Sequence, residues 1–585
     1  MNATASLGSA PRARRHREGG HHDRLGIRSL GWIPLIILIG PGVAHAQTIP
    51  NAGSVLKHIE SGHQQALPPK APPAFAPPPP LKAISGPTVT VKQFRFVGNH
   101  LLTSSQLAGV VAGFVGRPLS FSDLQNAAIA VANAYRRKGW VVRAYLPQQD
   151  VTSGVVTIEI IEARFGSVQV QGQPRRISAA RLRAYVDAAQ KSGGPVNADA
   201  LDRALLLMND LPGTRTTGSL TAGRQQATTD LLLETTDLPL LTGSLTIDDD
   251  GQRFTGANQV TVAADANSPL RIGDRASVLY LHSAGTDFES AAYELPLGTR
   301  GVRIGIDASH LSYRIITAAF SSLDANGRST TADLHASYPL ARTRLSNLYV
   351  SVAAGDKWFR NQSLGATTSH YSIAHGSVGL SGNHYDDLGA GGSSTVSVTF
   401  EQGLVDLGGS PNETADAKTT DSAGSFRKVS LTLSRLQGVT DRFSLFASVT
   451  GQLASRNLDS SEKLYLGGAN GVRAYPTNEG GGSEGVLADL EARVGLPAGF
   501  NLTGFVDWGE VRFNKDNAFP GAPTSNTEAL KGGGAAIDWV APFGLTVRVA
   551  VAHRIGRNPD PTSTGTDQDG TRVENRVWAQ ATMPF

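Results

Sequence analysis

Residues 275–311 read RASVLYLHSAGTDFESAAYELPLGTRGVRIGIDASHL, and the fold turns on this stretch. Apolar and polar residues alternate through RASVLYLHSA, SAAYELPL and VRIGIDASHL. A period of two is the mark of a strand with two different faces. The link LGTRG between two of these segments is short. The same texture begins near residue 238 and continues to the end of the chain. It includes GSLTID and NQVTVAAD upstream, and FNLTGFVDWGEV, GGAAIDWVA, LTVRVAVAHRI and RVWAQATMPF downstream. About sixteen such segments can be counted, each of about 10–13 residues. An even number of strands, each long enough to cross a bilayer at a tilt, predicts a 16-stranded antiparallel transmembrane barrel over 238–585.

The connections support that reading. LGTRG, DDLGAGG, LPAG and APFG are short. The links between the fifth and sixth strands, the seventh and eighth, and so on to the fifteenth and sixteenth read as long and polar. Membrane barrels with both ends in the periplasm alternate in this way, whereas a soluble propeller has no reason to. In the last segment Val577, Ala579, Ala581, Met583 and Phe585 share one apolar face, with Trp578, Gln580 and Thr582 on the other. An aromatic at the final boundary, Phe585, fits the outer-membrane pattern.

Upstream of the barrel, two β-α-α-β-β units follow one another, at 88–164 and 165–237. In the first, TVTVKQFRFVGN reads as a strand, and SSQLAGVVAGFVG and SFSDLQNAAIAVANAYRRKG as helices, with Ser122 a candidate N-cap. A strand pair closes the unit. Repetition of one element order in tandem is itself evidence for the unit. Residues 67–87 are Pro-rich and predict an extended spacer. Residues 47–66 carry GSVLKHIESGHQQAL, with weak helical character; a disordered tail fits the composition as well.

Residues 1–46 read as a secretory leader with a basic start, the apolar run LGWIPLIILIGPGV and Ala44-His45-Ala46 before the cut. The leader holds 6 of the 53 Lys+Arg and 2 of the 49 Asp+Glu, so the formal charge of +4 belongs to it and the remainder is neutral. No basic footprint for nucleic acid is left. The chain has no cysteine, hence no disulfide and no thiolate chemistry. No metal or cofactor is expected. HREGGHHD falls in the leader and is read as part of it.

One loop stands apart. LYLGGANGVRAYPTNEGGGSEG, residues 464–485, is too rich in glycine for a packed element, yet it sets Arg473 and Tyr475 among small residues. GGANGVRAYPTNEGG resembles the VRGY/F loop of the BamA/TpsB superfamily of outer-membrane transporters. The resemblance implies that the loop, residues 456–484, folds into the barrel. It also implies that Arg473, within Val472-Arg473-Ala474-Tyr475, meets an acidic residue of a F-x-D-x-G motif in the thirteenth strand. That motif is present as Phe505-Val506-Asp507-Trp508-Gly509, and Glu491 and Arg493 form an E-x-R pair in the twelfth. A carboxylate on the wall can fix an arginine through a bidentate fork. If Val506 and Trp508 face lipid, Asp507 faces the lumen. Ala474 stands where the family has glycine, which would make a positive φ costly there.

The two α/β units look like POTRA domains, and the whole arrangement resembles TpsB transporters of two-partner secretion, of the haemolysin-activator (ShlB) type. The resemblance implies a plug helix within 47–66 and export of a large secreted TpsA-type exoprotein that docks on the POTRA units. It further implies periplasmic POTRA domains, an outer-membrane lipid environment, and barrel assembly machinery reading the C-terminal signal at Phe585. An assembly factor of the insertase kind is the alternative. A passive porin accounts for the barrel but not for the α/β units. An outer-membrane enzyme would have to use scattered residues: His310, His335, His370, His375, His384, or the Asp248-Asp249-Asp250 run as a cation site. The chain has no H-E-x-x-H and no G-x-x-x-x-G-K-[ST], so no catalytic residues are assigned.

Overall fold

The computed structural model describes residues 49–62, 67–70, 88–225 and 227–585. The expected leader and nearly all of the Pro-rich spacer lie outside them. Among the described residues no helix is long and apolar enough to cross a membrane; the crossing element is a closed barrel.

Two α/β units precede it. In the first, strand Gln93–Val97 leads to α2 (Ser104–Val111) and α3 (Phe121–Arg136), then to strands Val142–Tyr145 and Val155–Glu162; α1 is the earlier helix Ala52–Gly62. The first strand pairs parallel with the third, and the second pairs antiparallel with it. The second unit repeats this with Arg164–Gln171, α4 (Ala179–Ala189), α5 (Ala198–Asn209), Thr214–Ala222 and Thr228–Asp237. Each unit buries its own apolar core. The N-cap of α3 is Ser120, not Ser122. Ser120 Oγ accepts from Asp123 N, and the Asp123 carboxylate accepts from Ser120 N in return. This reciprocal capping box satisfies two orphan N–H groups, while Ser122 is buried in the first turn.

The barrel has sixteen antiparallel strands, from β1 (Leu241–Asp248) to β16 (Asn575–Pro584), each bonded to its neighbours in sequence. β16 closes on β1 over the short register Gln580–Pro584. Phe585 extends the seam: its N–H donates to Gly243 O and its carbonyl accepts from Gly243 N, both at 2.9 Å. Outward residues such as Val278, Ile306, Leu334, Leu490 and Val577 form an exposed apolar surface, which suits lipid on the outer face.

Two features differ from the sequence reading. The strands are longer than 10–13 residues in the middle of the sheet: β6 (Asn326–Arg342), β7 (Ser346–Ser363) and β8 (Ala366–Asp386) reach 17, 18 and 21 residues. A tilted crossing needs only about 9–11. The added length carries polar outward residues such as Thr368 and His370, so alternation continues where the apolar pattern stops. As a result the seventh and eighth strands are joined by only Leu364 and Gly365, not by a long loop. Both have positive φ, 52° and 73°, as a two-residue type I′ hairpin requires.

The second α/β unit is fastened to the near end of the barrel. Arg342 Nε and Nη2 donate to the Asp210 carboxylate at 2.9 and 2.7 Å, and Arg344 Nε donates to Asp202 at 2.9 Å. Arg181 and Arg203 reach the Pro296 and Pro339 carbonyls.

Candidate functional site

Among the described residues, α1 and the loop between β11 (Phe443–Ala454) and β12 (Glu484–Gly495) pack inside the barrel wall. A short hairpin, Leu464–Tyr465 against Gly481–Gly482, stiffens the loop base. Beyond it the chain turns back so that Val472, Arg473, Ala474 and Tyr475 are all buried.

Arg473 is the centre of the contact. Its backbone N–H and its Nε donate to Asp507 Oδ2, both at 2.9 Å, and its Nη2 donates to Asp507 Oδ1 at 2.6 Å. Nη1 reaches Glu491 at 2.7 Å and Nη2 reaches Asp489 at 2.6 Å. The guanidinium lies 3.5 Å from the Phe505 ring centroid, a desolvated cation–π contact. Arg493 donates to the other oxygen of Glu491 at 2.7 Å. Burial works against the charge on Arg473, but its hydrogen bond to Asp507 and the Asp507 and Asp489 charges outweigh that and raise its pKa. Asp507, on β13 (Phe500–Arg512), is fully buried, whereas Val506 points outward and is exposed. Strand alternation therefore turns Phe505, Asp507 and Gly509 to the lumen together.

The neighbouring positions are fitted for close approach. A Cβ at Gly509 would come within 2.7 Å of Leu466 Cδ2, so only glycine leaves room for that side chain. Ala474 has no positive φ. Its methyl instead occupies the gap opposite Gly532 on β14 (Thr527–Val540), where an added Cβ would lie 2.6 Å away. The substitution of alanine for glycine is thus matched by a glycine on the wall. Tyr475 lies under Arg554, 4.3 Å from its ring centroid.

Three contributors carried no sequence signal recognised above. Asp489 sits two residues before Glu491 on the same inward face. Trp578 is an inward residue of the last strand, and its Nε1 donates to the Arg473 carbonyl at 2.7 Å. Its position opposite the apolar face of 577–585 was the only available signal. Glu462 forms a second anchor. It is fully buried, accepts from Lys357 at 3.1 Å, and pairs with Lys428. Burial alone would raise the Glu462 pKa, but the Lys357, Lys428 and Lys57 charges hold it well below the usual carboxylate range.

α1 packs Ala52, Val55, Leu56 and Ile59 against inward residues including Leu311, Tyr313, Phe359 and Tyr371. Its start is fixed by Ala52 N donating to Asn361 Oδ1 at 2.9 Å. Asn478 of the loop donates to Ser54 O at 2.9 Å, and Lys357 bridges toward Glu60 at 3.6 Å. Helix and loop are thus bonded to each other and share the lysine wall.

The other candidates do not converge. His310 meets Thr330, His335 meets Asp307 and His384 meets Ser346 across adjacent strands, and His375 reaches Asp333 over the intervening Gly355 of β7; His370 faces outward. Asp248 and Asp249 accept backbone N–H groups at the strand end.

Residues 227–535 match the model of the haemolysin secretion/activation proteins ShlB/FhaC/HecB, and residues 89–163 match the ShlB-type POTRA domain. The heme/hemopexin transporter protein HuxB of Haemophilus influenzae (strain 86-028NP) is 24% identical over 473 residues, 79% of this chain and 82% of its own. The outer membrane transporter CdiB of Dickeya dadantii (strain 3937) is 26% identical over 417 residues, 69% and 73% of the two chains. The solved structure of CdiB from Escherichia coli superposes with a TM-score of 0.68 at 20% identity, covering 88% of this chain and 94% of that one.

Proposed function

We infer the function from family membership: this chain belongs to the ShlB/FhaC/HecB haemolysin secretion/activation proteins, and it is an outer-membrane transporter that secretes a partner exoprotein by two-partner secretion. Its POTRA units stand in the periplasm and its barrel in the outer membrane. The observation that carries this is the family match on a closed barrel preceded by two POTRA-type units.

The finer reading concerns the lumen. α1 is the resting plug and the Arg473 loop is the inner gate, supported by their mutual hydrogen bond and the shared lysine anchors. The partner is a large TpsA-type exoprotein that docks unfolded on the POTRA units. Their edge strands, Val142–Tyr145 and Thr214–Ala222, can each accept an added strand. Docking leads to departure of α1, and the partner threads past the loop. The chain holds no nucleotide motif, and folding of the partner outside supplies the drive. Barrel assembly machinery recognises the C-terminal strand ending at Phe585, and lipid covers the outward apolar surface. The lumenal histidines serve as wall residues rather than as a catalytic set.

A paired proteome of supernatant and outer membrane, with and without this chain, tests the reading. Loss of one large supernatant protein with an unchanged outer membrane is expected. A joint fall of many barrel proteins would instead identify an insertase.

A further inference from the structure

The periplasmic mouth of the lumen holds a cavity of about 1120 Å³ between the second POTRA unit and the wall. It is larger than the usual small-molecule pocket. A short piece of the chain itself, residues 67–70, already enters it. Asn383 Nδ2 donates to the Pro68 carbonyl at 2.8 Å, and Tyr385 OH donates to the same oxygen at 3.1 Å. The two side chains are two apart on β8, so both face inward.

The amide of Asn383 has no freedom to turn. Arg342 Nη1 donates to Asn347 Oδ1 at 2.9 Å, which leaves the Asn347 amide nitrogen to face Asn383. Asn347 Nδ2 then donates to Asn383 Oδ1 at 2.8 Å, in a buried cross-strand pair. Since its oxygen is taken, Asn383 presents N–H to the lumen. Arg342 is itself held by Asp210 of the POTRA unit. From Arg342 to the cavity the row therefore runs in one direction, each member donating to the next, while Arg342 also donates back to Asp210 on the POTRA side. It ends in two donors aimed at one acceptor. What such a site takes is a backbone carbonyl. It makes no demand on the ligand's N–H, which the bound proline lacks. Ser393, Thr395 and Ser397 continue the hydroxyl-rich lining beside it.

We propose that Asn383 and Tyr385 form a carbonyl-binding site for extended polypeptide, filled by Pro68 at rest and by the partner exoprotein during export. The proposal rests on the transporter reading above. The site reads backbone and not sequence, which suits a chain that must slide through it. Its link to Asp210 places it where POTRA docking and threading meet. Segment 67–70 is the start of the Pro-rich spacer that leads to the POTRA units, so a pull along that spacer empties the site as the partner arrives.

The test uses full-length protein in cells, with Ser381→p-benzoylphenylalanine as a photocrosslinker in the cavity. The probe is the secreted protein that disappears from the supernatant when this chain is absent. Without that protein the crosslink should map to residues 67–70. With it, a high-mass adduct to the exported chain should replace the internal one. Asn383→Ala with Tyr385→Phe should cut adduct and secretion about thirtyfold, the factor two ordinary hydrogen bonds carry. Should that variant fail to assemble, Asn347→Leu leaves the Tyr385 donor in place but frees the Asn383 amide to turn, and a fall of about fivefold, one hydrogen bond's worth, is expected. An internal crosslink that persists during export with no adduct would overturn the proposal. So would normal secretion by an assembled double variant that only leaks more current, which would make the site a mere anchor. If no supernatant protein depends on this chain, the transporter reading itself fails.

Discussion

Arg473→Ala is the sharpest test of the lumenal lock. In the folded chain one guanidinium satisfies Asp507, Asp489 and Glu491. Arg493 and the more distant Arg548, 3.8 Å from Glu491, remain on the Glu491 side. Removing Arg473 leaves Asp507 buried without its partner. Breaking a buried pair in this way costs about 3–5 kcal/mol. The backbone N–H of residue 473, which still donates to Asp507, and the remaining arginines favour the lower figure, and about 3 kcal/mol corresponds to roughly a hundredfold in an equilibrium. The loss falls on the seating of the loop and not on the barrel, whose strand ladder makes no use of Arg473. Backbone amides of 456–484 should exchange hydrogen roughly a hundredfold faster, while those of β12 and β13 stay protected. Heat-shifted electrophoretic mobility should persist, and secretion should fall. Arg473→Lys should lie in between, since an ammonium keeps the charge but loses the fork and the stacking on Phe505. In a double-mutant cycle, Arg473→Asp with Asp507→Arg should recover only part of the protection, because Asp489 and Glu491 still face the loop. Unchanged loop exchange in Arg473→Ala would refute the lock.

Other predictions follow from the same geometry. Gly509→Val places a side chain where Leu466 sits, so it should loosen the loop as Arg473→Ala does while the barrel still assembles; protease cleavage within 456–484 reports it. Trp578→Phe removes the donor to the Arg473 carbonyl and should cost about 1 kcal/mol of loop seating, the net worth of one hydrogen bond, readable as a severalfold rise in exchange. Burial, with the Asp567 charge next, pushes the Glu479 carboxyl up to about 8. Between its ordinary value near 4.5 and about 8 the seated loop binds the proton and the released loop does not, so seating weakens as pH rises through that window. Channel openings in planar bilayers should therefore increase from acid pH to pH 8, and Glu479→Gln should flatten the profile; an equal slope in both proteins would rule out Glu479 as the titrating group.

The parts that were legible in the sequence are those where one local period or one motif carries the information. Alternation marks a strand wherever one face meets lipid, and so the sixteen segments could be found one by one. Their ends could not, because β7 and β8 run past the bilayer with polar residues on both faces, and only the Leu364-Gly365 turn stops them. The site divides along the same line. Arg473 and Asp507 belong to short motifs that a reader can match across separate strands. Asp489 joins them by pairing directly opposite Asp507 between β12 and β13, whereas Trp578 and Glu462 join only in the assembled barrel, which sets the loop beside β16 and against the lysines of β7 and β10 (Gly424–Gly438). Trp578 shows the limit well. In sequence it is a residue opposite an apolar face; in the closed barrel it is the wall donor that reaches the Arg473 carbonyl. A contact between the final strand and the gating loop means that the lock is completed only when the barrel closes. The lumen is thereby kept shut by the same event that makes it a channel.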